Sequence, residues 1–422
     1  MDLRNLPDGL SAQERCDERR RRIESETGTD LSLLETVSDR IGQADEKNCE
    51  QMIGSVALPV GIAGPLTITF SSGEKSDVTL PLATTEAALV ASVNRGCKVV
   101  ARSGGIHVQS VYHGMSRSIA LKPKNGKGQS YTNLRRRLSA VDSPKGSEGG
   151  PSHTDLLSTV GKPTSSLKEA IETLEQNWKK IGEATSGHLK ILRYDLDESD
   201  EYTFLTIFCS TSEAMGMNMV TIAAQAIGNW LAEELEAELI TVAANVDSDK
   251  KPSKRTHDRG RGYEVTAQAT IPSSVIEDVF KTTPDKLLAV ADAKLKVGSS
   301  LAGAIGSNLH AANVIAALYL ATGQDSAHVV EGSLADTTVS AIPDGIAIQT
   351  RLPAVLVGVR GGGTALPAQN QCLSLILKPK TSLRPPQQLA ESIGAAVLAG
   401  ELSLLAAQAT QTLASSHKTL AR

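Results

Sequence analysis

The chain has 422 residues, with 43 Lys plus Arg against 47 Asp plus Glu and a formal charge of −4. At roughly 150 residues per domain that length predicts two or three domains with sizeable cores. A charge so near balance and an aromatic content of 3% exclude a general phosphate-backbone binder and a base-stacking platform, and 40% apolar residues exclude wholesale disorder.

Residues 1–48 read as a polar helical lead-in. Their start, MDLRNLPDGLSAQERCDERRRR, has no apolar h-region, so no secretory signal is expected. The basic run Arg19 to Arg22 beside Asp17, Glu18 and Glu24 reads as a solvated helix face or, alternatively, as a patch for an anionic partner. From Ile53 to Phe70 apolar residues alternate with Gly and Pro, predicting strands and tight turns. Leu82 to Arg102 predicts a helix capped by Thr84 or Thr85, with Glu86 in its first turn. Residues 122–166, rich in Lys, Gly, Ser and Pro, predict a flexible insertion. Ser166 to Ile181 reads as helix, Glu201 to Cys209 as strand, Met217 to Leu239 as helix and Leu239 to Val246 as strand. A strand over Gly262 to Ile271, a helix over Asn308 to Thr322 stopped by Gly323, and a strand over Ile346 to Val359 follow. The tail, Pro386 to Leu420, predicts an Ala/Leu-rich helix pair. Strands and helices mix without a βαβ period, so the fold class expected is α+β.

No uninterrupted apolar run approaches the ~20 residues of a membrane helix; the best is Val314 to Ala321. The cysteines at 16, 49, 97, 209 and 372 form no CxxC pair, and the histidines show no HExxH spacing. Neither a disulfide framework nor a metal site is expected, and the chain reads as soluble and cytoplasmic.

Several segments could carry chemistry, each with a plainer reading. Asp249-Lys250-Lys251-Pro252 at a strand end could steady an oxyanion, or be a surface turn. Glu86 is otherwise a carboxylate in a capping region, Asp325 a loop residue bonding backbone amides, and His417 an exposed tail histidine. Gly361-Gly362-Gly363-Thr364 offers amides that could cradle a phosphate or lie under a flat ring, without a GxGxxG or Walker spacing. Met215-Gly216-Met217 would let a planar ligand approach closely, or would be a core turn with thioether gap-fillers.

The order of these segments is more telling than any one of them. CEQMIGSVALPVGIAGPL (49–66), ATTEAALVASVNRGCK (83–98), EAMGMNMV (213–220), DKKP (249–252), GSSLAGAIGSNLHAANVIAALYLATGQD (298–325), GGGTALPAQ (361–369) and AGELSL (399–404) follow one another along the chain. In that order they resemble the catalytic portion of 3-hydroxy-3-methylglutaryl-coenzyme A (HMG-CoA) reductase, of the eukaryotic type (class I), over about residues 45–422.

The resemblance implies reduction of HMG-CoA to mevalonate and CoA with two NADPH, NADH not being excluded. It implies an N-terminal segment 1–48 and a large substrate domain around a central helix, residues 49–118 and 243–422. A smaller ferredoxin-like NADP-binding domain, 119–242, carries the insertion. A homodimer or homotetramer is expected, without nucleic acid and without a membrane-spanning segment. By resemblance Lys250 is the cation for the hemithioacetal oxyanion, His417 protonates the departing CoA thiolate, Glu86 is the acid for the aldehyde step and Asp325 tunes both Lys250 and Glu86. Arg117 corresponds to the arginine for the free carboxylate of the glutaryl group; Asp249, Lys251 and Asn313 are further substrate contacts, and Ser92, Asn94 and Arg95 face CoA. His310 matches a family histidine close to the site. On the cofactor side stand Ser186, Glu213, Met215, Gly216, Met217, Asn218, Gly361, Gly362 and Thr364.

Departures cluster there. Glu213 stands for an aspartate, Arg360 for an aliphatic residue, and Gly187 for the arginine that meets the adenosine phosphate, for which His188, Lys190 or Arg193 could substitute. Ala243 stands for a serine and Ser55 for a tyrosine. These substitutions leave a second reading, a low-activity or non-catalytic homologue that binds a CoA thioester or a partner subunit.

Overall fold

The structure, a computed structural model, describes residues 3, 5–28, 30–35, 37–124, 166–377 and 380–411. Most of the expected insertion, and His417, lie outside the described residues. The chain divides into two compact units: residues 1–113, 213–215 and 250–422, and residues 114–212 and 216–249.

In the larger unit, β1 (Val60–Thr69) and β2 (Lys75–Ala83) form an antiparallel hairpin, and β3 (Ile106–Pro123) starts parallel to β1. Antiparallel β7 (Gly262–Pro272), β9 (Gly345–Val355) and β8 (Asp336–Ile342) complete the order β2-β1-β3-β7-β9-β8. Along β7 Val265, Ala267 and Ile271 are fully buried while Gln268 and Thr270 are exposed, the alternation of a sheet with one face on a core.

That core is built around the helix Pro385–Ala409, apolar on all sides and buried almost throughout. Among the described residues it is the one helix long and apolar enough to cross a membrane, by length and composition. Glu391 and Glu401 interrupt its apolar run, as the sequence led one to expect, and both are fully buried here and hydrogen-bonded. Glu391 accepts from the Ser71 N–H and the Ser71 and Ser110 hydroxyls. Glu401 accepts from the N–H groups of Leu309 and His310, each at 2.7 Å, and from Thr337 Oγ1. The helix Leu89–Arg102 crosses the central helix at Gly96, where a Cβ would stand 1.9 Å from the Ala399 carbonyl oxygen.

In the smaller unit, β4 (Lys190–Glu198), β5 (Thr203–Ser210), the later part of β3 and β6 (Ala237–Thr241) pair antiparallel in the order β4-β5-β3-β6. Helices Leu167–Thr173, Glu175–Glu183 and Met217–Glu234 accompany them, with Trp178 fully buried and its indole N–H donating to the Ile171 carbonyl at 3.0 Å. The mixture of helices with largely antiparallel strands is the α+β class.

Several boundaries differ from the sequence reading. Leu82 and Ala83 finish β2, because Leu80 and Leu82 are drawn into the core; the helix starts only at Leu89, and Glu86 lies in the loop before it. Thr84 accepts the Glu86 N–H at 2.9 Å and shapes that loop instead of capping the helix. Helix Met217–Glu234 ends before Leu239, which belongs to β6. Strands β2, β3, β4 and β8 were not anticipated. Arg19 and Arg20 are 8% and 9% exposed and donate to the Leu3, Met52 and Ile53 carbonyls, so they form neither a solvated face nor an anion patch.

Gly96→Ala is expected to destabilise the fold by about 1–3 kcal/mol, since a backbone carbonyl occupies the place of the new methyl. Gly187→Ala, with nothing within 4 Å of its Cβ, is the control and should stay within about 0.5 kcal/mol. Thermal denaturation midpoints check both.

Candidate active site

Within the larger unit, a helix and two loops place the charged residues. The helix Ala311–Thr322 ends at Gly323, whose φ is +70° and whose Cβ would stand 2.2 Å from the Gly363 carbonyl oxygen. Only glycine fits this contact, and it fixes the Asp325 turn against the triple-glycine loop. Gln324 adds a second tie, its Oε1 accepting the Gly358 N–H at 3.0 Å. Asp325 then accepts the Lys250 ammonium at 2.8 Å and the Ala327 N–H at 3.1 Å. Burial works to raise the Asp325 carboxyl, but the hydrogen bonds from Lys250 and Ala327, with the nearby His328 and Lys250 charges, hold it below its ordinary 3.8.

A second cluster lines a cleft of about 380 Å³ that includes Glu86, Ser92, Arg95, His310, Asn313 and Gln408. Asn313 Nδ2 donates to Glu86 Oε1 at 3.3 Å. Arg95 donates to the Ser403 hydroxyl and carbonyl of the central helix, and Ser92 shares that hydroxyl. Burial pulls the Arg95 guanidinium below its usual range. The buried Nε2 of His310 has no hydrogen-bond partner among the described residues. Asn94 is occupied elsewhere, accepting the Gly64 N–H. Among the described residues Lys250 and Asp325 are joined directly, while no hydrogen bond links them to the Glu86–Asn313 pair; the fourth expected catalytic group, His417, lies outside the described residues. Lys251 is exposed.

The triple-glycine loop carries the cofactor candidates of this unit. Gly361 and Gly362 have φ of +78° and +56° with open space where a Cβ would project, while Thr364 spends its hydroxyl on the Gly361 carbonyl. Two departures from the family pattern meet here: Arg360 donates to the Glu213 carboxylate, and the Val359 N–H donates to the Glu213 carbonyl. Met215 lies behind Gly358, whose Cβ would stand 2.2 Å from the Met215 nitrogen.

In the smaller unit, Arg117 is 8% exposed. It donates to Thr221 Oγ1 at 3.0 Å and to Asp247 and Asp249, each at 3.3 Å. Gly216 is required at the start of its helix, because its φ is +92° and a Cβ would stand 2.3 Å from Thr211. Met217 is buried and Asn218 exposed. Ser186 accepts the His188 N–H, and Arg193 lies 3.4 Å over the Phe208 ring while donating to Asp195. His188 and Lys190 are exposed.

Sequence reasoning missed Asp247, Glu331, His328, Arg261 and Glu401. The spacing Asp325-x-x-His328-x-x-Glu331 was the available signal, three polar residues on one face of a helical turn.

A family model described as hydroxymethylglutaryl-coenzyme A reductase matches residues 15–134 and 156–422. The chain is 35% identical over 413 residues to the 3-hydroxy-3-methylglutaryl-coenzyme A reductase of Methanothermobacter thermautotrophicus, covering 96% of this chain and 92% of that one. It is 35% identical over 380 residues to reductase 2 of Dictyostelium discoideum, covering 87% and 64%. In structure it is similar to the class II reductase of Streptococcus pneumoniae bound to NADPH, with a TM-score of 0.61, 19% identity and coverage of 94% and 97%.

The depressed Asp325 carboxyl sets a pH dependence. Its contribution to stability is complete above the unfolded value of 3.8 and is lost as pH falls through the lower folded value. Asp325→Asn should therefore lower the denaturant midpoint at pH 7, and the gap to wild type should close as the pH drops below 3.8.

Proposed function

Because the chain belongs to the hydroxymethylglutaryl-coenzyme A reductase family, we propose that it reduces HMG-CoA to mevalonate and CoA with two NADPH. The observation that carries this reading is the Lys250–Asp325 pair, an ammonium 2.8 Å from a carboxylate.

When bound, the reduced nicotinamide supplies hydride. Support for its place comes from Gly361 and Gly362, whose left-handed backbone leaves room that a Cβ would fill. Ser186, Glu213, Met215, Met217, Asn218 and Thr364 belong to the same proposed cofactor set.

The chain's own residues divide the remaining work. Lys250 donates to the thioester oxygen as it becomes an oxyanion, and Asp325, 2.8 Å away, holds that ammonium in place. Glu86, steadied by Asn313, gives the proton that the aldehyde oxygen takes up as it becomes an alcohol. His417 returns a proton to the CoA thiolate. Arg117 binds the glutaryl carboxylate; Asp249, Lys251 and Asn313 are further substrate contacts, and Ser92, Asn94 and Arg95 meet CoA. The meeting of Arg360 with Glu213 supports a cofactor loop whose substitutions compensate each other.

The division into an HMG-CoA-binding domain and an NADP-binding domain, and assembly as a homodimer or homotetramer, belong to this proposal. So does a soluble cytoplasmic location, supported by five free cysteines. The eukaryotic-type (class I) expectation is not supported by these relatives: the archaeal reductase matches over 96% of this chain and 92% of its own length, the Dictyostelium one over 87% and 64%.

Purified protein given HMG-CoA and NADPH should consume the nicotinamide absorbance; no oxidation with NADPH or NADH overturns the reading. Lys250→Ala should lower kcat by roughly 10²–10³-fold, the usual effect of removing one oxyanion donor. Glu86→Gln should abolish reduction of the aldehyde, followed by supplying that intermediate directly.

A further inference from the structure

Behind the Lys250–Asp325 pair lies a layer of buried charge that the proposed reaction does not use. Glu331 and His328 are 0% exposed and Arg261 is 1% exposed. Glu331 Oε1 accepts the Lys250 backbone N–H at 2.6 Å and an Arg261 guanidinium N–H at 2.8 Å. The same oxygen lies 3.4 Å from His328 Nδ1, and His328 Nε2 faces Asp325 Oδ2 at 3.6 Å. Lys250 itself has a φ of +57°, a left-handed conformation that residues with a Cβ rarely adopt.

These facts bear on one another. A left-handed lysine persists only where its surroundings over-determine it. Here the restraint is a charge-assisted bond to its own N–H, stronger than a neutral carbonyl would give. A buried carboxylate would be costly alone, and Arg261 supplies the compensating charge. His328 lies between the two carboxylates, Nδ1 towards Glu331 and Nε2 towards Asp325, with Glu331 turned to the Lys250 backbone and Asp325 to its ammonium.

We propose that Glu331 is a positioning residue: its carboxylate, neutralised by Arg261 and spaced from Asp325 by His328, pins the Lys250 backbone and so aims the ammonium. What the ammonium does chemically rests on the reductase reading; that Glu331 aims it does not.

The test pairs kinetics with a direct view of the lysine. The Lys250 side chain is 41% exposed, so reductive methylation with ¹³C-formaldehyde labels it, and Lys250→Arg assigns its resonance. In Glu331→Gln the resonance should move to that of a freely solvated lysine, and kcat should fall about 10²-fold, the effect of a small misplacement of a reacting group. KM for HMG-CoA should stay within about twofold, because Lys250's bond to Glu331 is not part of substrate binding. A merely structural role would lower the yield of folded protein and leave the resonance of the folded fraction in place. If Glu331→Gln does not fold, Glu331→Asp withdraws the same charge by one methylene and should move the resonance and kcat in the same direction. An unmoved resonance with kcat within twofold of wild type, in whichever variant folds, overturns the proposal. A wild-type chain that oxidises no NADPH while its Lys250 resonance still depends on Glu331 removes the reductase reading and keeps the coupling.

Discussion

A carboxylate taken out of water has to be met by donors, and the larger unit uses that requirement repeatedly to tie distant segments together. Glu401, inside the central helix, captures two N–H groups just before the helix Ala311–Thr322 and so sets where Asn313 stands. Glu391, nearly three turns earlier, captures the Ser71 turn and the Ser110 hydroxyl. Glu331 captures the Lys250 N–H. In each case the acceptor lies far in sequence from its donors, so local folding alone cannot satisfy it. Removing one partner from such a buried site typically costs about 3–5 kcal/mol.

The same requirement explains why the site residues rest on irregular backbone. Lys250 is left-handed, Glu86 lies in a loop between strand and helix, and Asp325 follows a glycine that no other residue could replace. Regular elements supply the frame: β7 and β9 as a sheet, and a helix buried on every side. The loops between them are held by glycine contacts and buried acids, not by their own propensities.

The triple-glycine loop shows how two substitutions read differently alone and together. Glu213 reaches one methylene further than the aspartate the resemblance implies, and Arg360 puts a cation where the resemblance implies an aliphatic side chain. In the fold they are one ion pair at the entry to the triple-glycine turn, with the Val359 amide bonded to the Glu213 carbonyl. The pair is exposed on the arginine side, so its worth lies in loop geometry more than in stability.

Composition and period were enough for the α+β class, for the strands β1, β5, β7 and β9 and for the helices opening at Met217 and ending at Gly323, because these depend on local alternation and capping. The ordered motifs were enough for the family, since few folds need those short segments in that succession. The sequence alone could not say that Leu82 belongs to a strand, that Arg19 and Arg20 are buried against carbonyls, or that an apolar helix holding two glutamates lies at the centre of a core. It also could not show that Asp247 flanks Arg117 or that Glu331 holds Lys250. Those outcomes depend on partners tens to hundreds of residues away, and burial of a charge is a property of the packed chain, invisible in any window of its sequence.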